Sequence, residues 1–249
     1  MFEGCLNLNN VSLPRTLLGT SPFIGAGQFG HRARLYQLDL YSNPENMLRI
    51  IRTSYDGGVR GMQLLPYPPV IQALEMARDE GMKIDVIGTV RHDHEKEDIE
   101  LLNNLDAKAM LLHAMITDQG DWDFIADKLN HIQEAEAIPG LVTHRPFHTT
   151  RMLLESLVKD LFELYMIPLN RLGYLMDCEQ NLEEERSQLR EMVLELDKTI
   201  IGKKLLAAGI MTPQDAFEYL KTLDYVDMVA VGIASESEAR ETFGILSRK

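Results

Sequence analysis

From Lys108 to His148 the chain reads as strand, polar turn, helix, strand, polar turn. The apolar runs Ala109 to Leu112 and Ile138 to Val142 are each followed within two residues by a histidine, and the segment between them, Asp121 to Glu136, has helical spacing. That is a βαβ unit. It places His113 and His144 just past the carboxyl ends of parallel strands, the edge at which α/β folds bind ligands.

The same alternation continues along the chain. A first strand is expected at 16–20, with others near 59–65, 84–90, 108–113, 138–143, 164–169, 198–202 and 226–231. The first helix opens at Asn43-Pro44 and stops at Gly57-Gly58, a cap and N1 proline at one end and a glycine stop at the other. Further helices are expected near 67–80, 95–104, 121–136, 149–163, 179–196, 212–222 and 236–247. Two of these begin with capping-box spacing, at Thr212 and Ser235. Phe2 to Leu17 reads as a hairpin turning at Asn9-Asn10. Eight strand-helix pairs in 249 residues, with no Pro/Ser/Gly-rich linker, imply one domain, 1–249, folded as an α/β TIM barrel of (β/α)8 type with an N-terminal β-hairpin. An open doubly wound sheet is the alternative.

Composition narrows the function. Acidic residues outnumber basic ones, 38 to 25, for a formal charge of −13. Such a chain lacks the basic surface that nucleic acid or an anionic membrane requires. No apolar run reaches membrane-spanning length, and the N-terminus lacks the basic region and apolar core of a signal peptide. Cys5 and Cys178 have no CxxC spacing and read as reduced thiols. A cytoplasmic protein with a small-molecule ligand is expected; the sequence is silent on oligomeric state.

One segment breaks the rhythm. The 21–42 stretch holds Gly25, Gly27 and Gly30 in GxGxxG spacing. Pro22, and the distance to the next helix, spoil the strand-turn-helix setting of a dinucleotide fingerprint, so the motif is discounted. A loop of this length is more often functional than idle.

The ends of the chain carry a family likeness. CLNLNNVSLPRTLLGTSPF resembles the floor hairpin and first strand of the aldo-keto reductases. IIGKKLLAAGIMTPQDAFEYL and YVDMVAVGIASESEARETF are similar to that family's seventh and eighth strand-helix units, and AKAMLLHAM to its fourth strand. The resemblance implies a nicotinamide cofactor, NAD or NADP, and a carbonyl substrate. It implies His113 as the histidine that contacts the carbonyl and Tyr67, one residue short of the usual spacing, as the proton donor. Where the family has an aspartate at the end of strand 2, Gln63 or a neighbour stands. Where it has a lysine at the end of strand 3, this chain has Thr89-Val90. Without those partners a phenol titrating near ~10 is a weak acid catalyst at neutral pH.

The rim residues give a set of candidates. Tyr67, His113 and His144 are the catalytic candidates. Arg145 and Asn170 could bind substrate through a guanidinium and an amide. Lys204 could contact an anionic ligand or, if desolvated, form a Schiff base; strand alternation directs only one of Lys203 and Lys204 inward, and Lys204 matches the family's lysine better. Gly232, Ser235 and Arg240 lie where the family holds its cofactor's adenosine phosphate, although Glu236, Glu238 and Glu241 crowd the same turns and repel an anion. His92, His94 and His144, with Asp93 or Asp118, could converge on a divalent metal; polar strand-end loops also collect histidines bonded only to backbone or solvent. Three readings stand open: an aldo-keto-reductase-like barrel that binds a small polar carbonyl or sugar-like ligand, as a divergent NAD(P)-dependent oxidoreductase; a metal-dependent hydrolase, isomerase or lyase; and a non-catalytic binding protein. Met47, Met76, Met110, Met115 and Met152 are expected to fill the core.

Overall fold

The computed structural model describes residues 2–246. Strands β1 (Cys5–Leu8) and β2 (Val11–Pro14) pair antiparallel, with Leu6 opposite Leu13 and Leu8 opposite Val11. The turn between them is Asn9-Asn10, both at positive φ (49° and 65°), a conformation asparagine tolerates and a two-residue hairpin requires. The remaining strands, β3 (Thr16–Gly19), β4 (Gly61–Leu64), β5 (Asp85–Val90), β6 (Ala109–Leu112), β7 (Ile138–Val142), β8 (Leu164–Pro168), β9 (Thr199–Lys203) and β10 (Met228–Gly232), are parallel. They pair in sequence order, and β10 closes onto β3 with Val231 opposite Leu18. The barrel and its hairpin are as the sequence implied, and no open sheet forms.

Alternation along the strands divides their residues between two cores. Leu17, Ile87, Leu111, Val142, Met166, Ile201 and Ala230 fill the interior, and Leu6, Leu8 and Val11 of the hairpin pack beneath them as a floor. Their neighbours Leu18, Met62, Val86, Leu112, Leu141, Ile167 and Val231 face outward onto the helices. Most strands are thus buried on both faces, which is why their sequences are runs rather than alternations of apolar residues.

The helices are α1 (Arg32–Tyr36), α2 (Pro44–Asp56), α3 (Pro68–Asp79), α4 (Glu95–Asn104), α5 (Ala114–Thr117), α6 (Trp122–Glu134), α7 (Pro146–Leu154), α8 (Glu183–Leu196), α9 (Pro213–Leu220) and α10 (Glu236–Leu246). Both expected caps form: Thr212 Oγ1 accepts from Asp215 N (3.1 Å) and Ser235 Oγ from Glu238 N (3.2 Å). Among the described residues no helix is long and apolar enough to cross a membrane.

Four expectations need correction. The helix expected at 149–163 begins earlier, with Pro146 in its first turn, and ends at Leu154, where Ser156 Oγ donates to the Leu153 carbonyl (2.8 Å); only a 3₁₀ turn, Lys159–Leu161, follows. The helix expected from 179 begins at Glu183, because the Glu185 carboxylate gathers the amides of Glu179, Gln180 and Leu182 and wraps that segment into a loop. The 21–42 stretch is partly helical: α1 runs into a π turn, Gln37–Tyr41. Met115 is 56% exposed, standing on α5 at the rim instead of in the core.

Candidate functional site

One step above the apolar interior, the same inward-facing positions change chemistry. Two residues past Ile87 stands Thr89, past Leu111 His113, past Val142 His144, past Ile201 Lys203 and past Ala230 Gly232. Gln63 joins them from β4. These residues line a cavity of about 380 Å³ in the barrel mouth, near the lower end of what encloses a small-molecule ligand. The 21–42 segment walls its side through Gln28, Arg32 and Tyr36, and Arg32 donates to the Ala208 carbonyl beyond β9. Thus the long loop forms part of the cavity wall.

His113 is held in one tautomer. Its Nδ1 accepts from the Met115 amide at 3.2 Å, so in the neutral ring the proton sits on Nε2. Burial pushes its pKa down to about 4; Lys203 is the next cause, with His92 and Lys204 in the same direction and Asp118 opposing. The imidazole is therefore neutral at pH 7. His144 stands across from it with 5.5 Å between ring centroids and 89° between planes. It is exposed at the rim, yet its pKa is also depressed, first by desolvation against the cavity wall and then by the two lysines and His113.

Asp118, at the end of α5, ties this edge together. Its Oδ1 accepts from Thr143 Oγ1 (2.5 Å) and Thr149 Oγ1 (2.8 Å), and its Oδ2 accepts from the His144 amide (2.9 Å). It is committed to the β7 edge and serves there as an anchor.

Both Lys203 and Lys204 line the cavity, contrary to the expectation of one. Lys203 is the inward residue of β9, in register with Pro168. Lys204 lies past the strand end in a left-handed conformation (φ 58°), where alternation no longer governs its direction. Asn170, buried, spends its amide on the backbone: Nδ2 donates to Tyr174 O (2.9 Å) and Lys204 O (3.4 Å), and Oδ1 accepts from Tyr174 N (2.8 Å). It shapes the Lys204 turn and does not line the cavity. Burial lowers both lysine pKa values, that of Lys203 markedly, with Lys204 as a second cause, and that of Lys204 to about 8; Asp118 opposes both shifts.

Other candidates fall elsewhere. Tyr67 caps α3 beneath the guanidinium of Arg91 (4.7 Å to the ring centroid), beside Tyr41, outside the cavity wall. Arg91 is fixed by the fully buried Asp98 in a bidentate pair (2.9 and 2.7 Å). On the cavity wall, Gln63 Nε2 donates to Thr89 Oγ1 (2.8 Å), a neutral pair at the two strand ends that carry charge in the family the sequence resembles. Arg145 is exposed at the start of α7 and does not line the cavity. His92 pairs with Asp93 (2.9 Å), and His94 is exposed at the N-cap of α4. Among the described residues no group of three or more His, Cys, Asp and Glu side chains comes together to hold a metal.

At the α10 end the cavity reaches Gly232, Glu238 and Glu241. The Glu238 carboxylate accepts from the Ala234 amide (2.8 Å), Ser235 Oγ is occupied in capping, and Arg240 faces Glu236. A phosphate would meet an acidic wall with its amide already taken. The residues present at this end do not fit the adenosine phosphate of NADP.

No family model matches the sequence, and no curated protein matches it. Solved structures do. Over 99% of this chain and 92% of its own, the holo form of the aldo-keto reductase AKR11C1 from Bacillus halodurans superposes with a TM-score of 0.66 at 13% identity. MGS-M4, an aldo-keto reductase enzyme from a Medee basin deep-sea metagenome library, matches 98% of this chain and 90% of its own (TM-score 0.61, 13% identity). A Gox0644 variant in complex with NADPH matches 99% and 89% (TM-score 0.63, 12% identity). At such identities the likeness is one of fold: the chain shares the (β/α)8 barrel of these aldo-keto reductases.

Proposed function

We propose that the barrel mouth binds a small polar carbonyl compound, an aldehyde, ketone or open-chain sugar, and polarises its C=O through the Nε2–H of His113. One observation carries this reading: the Met115 amide on His113 Nδ1 leaves Nε2–H as the ring's donor in a cavity-lining residue. A neutral imidazole donates without having to release an ionic proton, and desolvation keeps it neutral across the physiological range. Gln63, Thr89 and His144 supply further hydrogen-bonding groups around the same opening. Tyr67 has no proton-transfer role in this proposal, because it does not share the cavity wall with His113. The proposal concerns only how the carbonyl is held and polarised; at the α10 end the Glu238 carboxylate occupies the Ala234 amide that would meet the adenosine phosphate of NADP.

Thermal shift against glycolaldehyde, D-glyceraldehyde and pyruvate, with ethylene glycol, glycerol and lactate as matched alcohols, tests it. A ligand that binds only the folded state raises Tm. At least one carbonyl compound should raise Tm, its alcohol should not, and His113→Leu should abolish the difference. Equal shifts for carbonyl and alcohol, or a response unchanged in H113L, would rule the reading out.

A further inference from the structure

The two lysines at the end of β9 both line the cavity. Lys96, Lys108 and Lys128 each lie within ion-pair distance of a carboxylate. Among the described residues neither Lys203 nor Lys204 is in ion-pair contact with one, and Asp118 acts on both only at longer range. Two like charges in one desolvated mouth disfavour each other, so one of the amines is driven toward its free base.

We infer that Lys203 is a nucleophilic amine that condenses with the bound carbonyl compound to form a Schiff base, with Lys204 as its acid-base partner. The inference rests on the carbonyl-binding reading above and names the covalent chemistry of the same site. Lys203 is the better nucleophile of the two by position: strand β9 fixes its backbone and it stands in the inward ring with His113 and Thr89. Lys204 is set on the outer turn and retains a pKa of about 8, suited to giving and taking a proton near neutral pH. The other charged or titratable groups on the cavity wall are His113, His144, Arg32, Tyr36, Glu238 and Glu241, and Asp118 acts on both lysines from outside it.

The step balances without a further reactant. The lone pair of the Lys203 amine attacks the carbonyl carbon, and the C=O π electrons pass to the oxygen, which the His113 Nε2–H holds. A proton moves from the attacking nitrogen to that oxygen, giving a carbinolamine. The hydroxyl then leaves as water, taking a proton from the Lys204 ammonium while the nitrogen lone pair forms C=N. The products are an iminium on Lys203, a neutral amine on Lys204 and one water. Such an iminium withdraws electrons from the neighbouring carbon, which is the use that lysine-dependent carbonyl chemistry makes of it.

Reductive trapping reads this out. The full chain is incubated with glycolaldehyde or pyruvate and sodium cyanoborohydride, and adducts are mapped by peptide mass spectrometry. A single dominant adduct on Lys203 is expected, reduced at least tenfold in K203M and in K203R, the latter keeping the cation and the bulk should the methionine variant fold poorly. Lys204→Met should lower trapping across the pH range, because it removes the ammonium that protonates the departing hydroxyl, and most at pH 7, where losing the neighbouring cation also raises the Lys203 pKa. Thermal shift with the same compounds is run in parallel on every variant. A carbonyl-specific shift in the wild type without an adduct, or with adducts spread over surface lysines and unchanged in K203R, overturns the Schiff base and leaves the binding site standing. Neither shift nor adduct overturns both.

Discussion

The imidazole rings of His113 and His144 meet edge to face, 5.5 Å between centroids, although they are 31 positions apart in the chain. Adjacent parallel strands bring them together, since Leu111 pairs with Gly140 and Leu112 with Leu141, and each histidine lies just beyond its strand. Asp118 then pins the second ring's backbone to the helix that follows the first.

That arrangement makes stability depend on acid. His113 takes up its proton near 6.5 when unfolded and near 4 when folded. Between those values the unfolded chain binds more protons, so stability is fully present above pH 6.5 and is lost as pH falls toward 4. His144 is shifted in the same direction and adds to the slope. Urea unfolding of wild type and His113→Gln at pH 7.5, 5.5 and 4.5 measures this. The variant should lose visibly less stability between the first and last of these, and identical slopes would speak against a depressed His113.

Asp118→Ala should cost roughly 2–4 kcal/mol, because it strands two threonine hydroxyls and the His144 amide that now share a charged acceptor. Differential scanning calorimetry should show Tm falling by about 2–4 °C for each kcal/mol in a chain of this size. Asp118→Asn, which keeps one acceptor oxygen, should lose less.

The Arg91–Asp98 pair is asymmetric: the arginine side chain is 20% exposed and the aspartate fully buried. Arg91→Met leaves a carboxylate without its cation inside the protein and should cost about 3–5 kcal/mol. Asp98→Asn leaves a cation that water can reach, and should be the milder change. Chemical denaturation of the two variants that ranks them in the opposite order would contradict the burial that separates them.

Inside the barrel, Gly140 has no room for a side chain. A Cβ there would lie 2.8 Å from both the Leu164 carbonyl oxygen and Leu111 Cγ. Gly140→Ala should therefore destabilise by about 1–3 kcal/mol through overpacking, read as a lower urea midpoint with the slope unchanged.

Much of the architecture was legible in one dimension. Alternating apolar runs and amphipathic segments, Asn9-Asn10 at the hairpin, Pro44 opening α2, and the Thr212 and Ser235 caps all act locally, and each formed where its residues indicated. The strand-end histidines at 113 and 144 followed from the same pattern. Glu185 was not readable in this way: its grip on three upstream amides decides where α8 starts and depends on a loop shape with no local signature.

The sequence by itself determined the order of strands and helices and which polar residues stand at the carboxyl ends, because those follow from periodicity and caps within a few neighbours. Only closure of the barrel decided which of them face one another. In β9 the residues Ile200 and Ile201 are both apolar because both faces are buried, so nothing in the run tells inside from outside, and Lys203 could not be told from Lys204. Register against β8 and β10 turned Ile201 and Lys203 inward, the left-handed bend at Lys204 brought in the second ammonium, and Tyr67 was left outside under Arg91. Side-chain direction at a strand end is a property of hydrogen-bonded partners distant in the chain, and the folded sheet sets it.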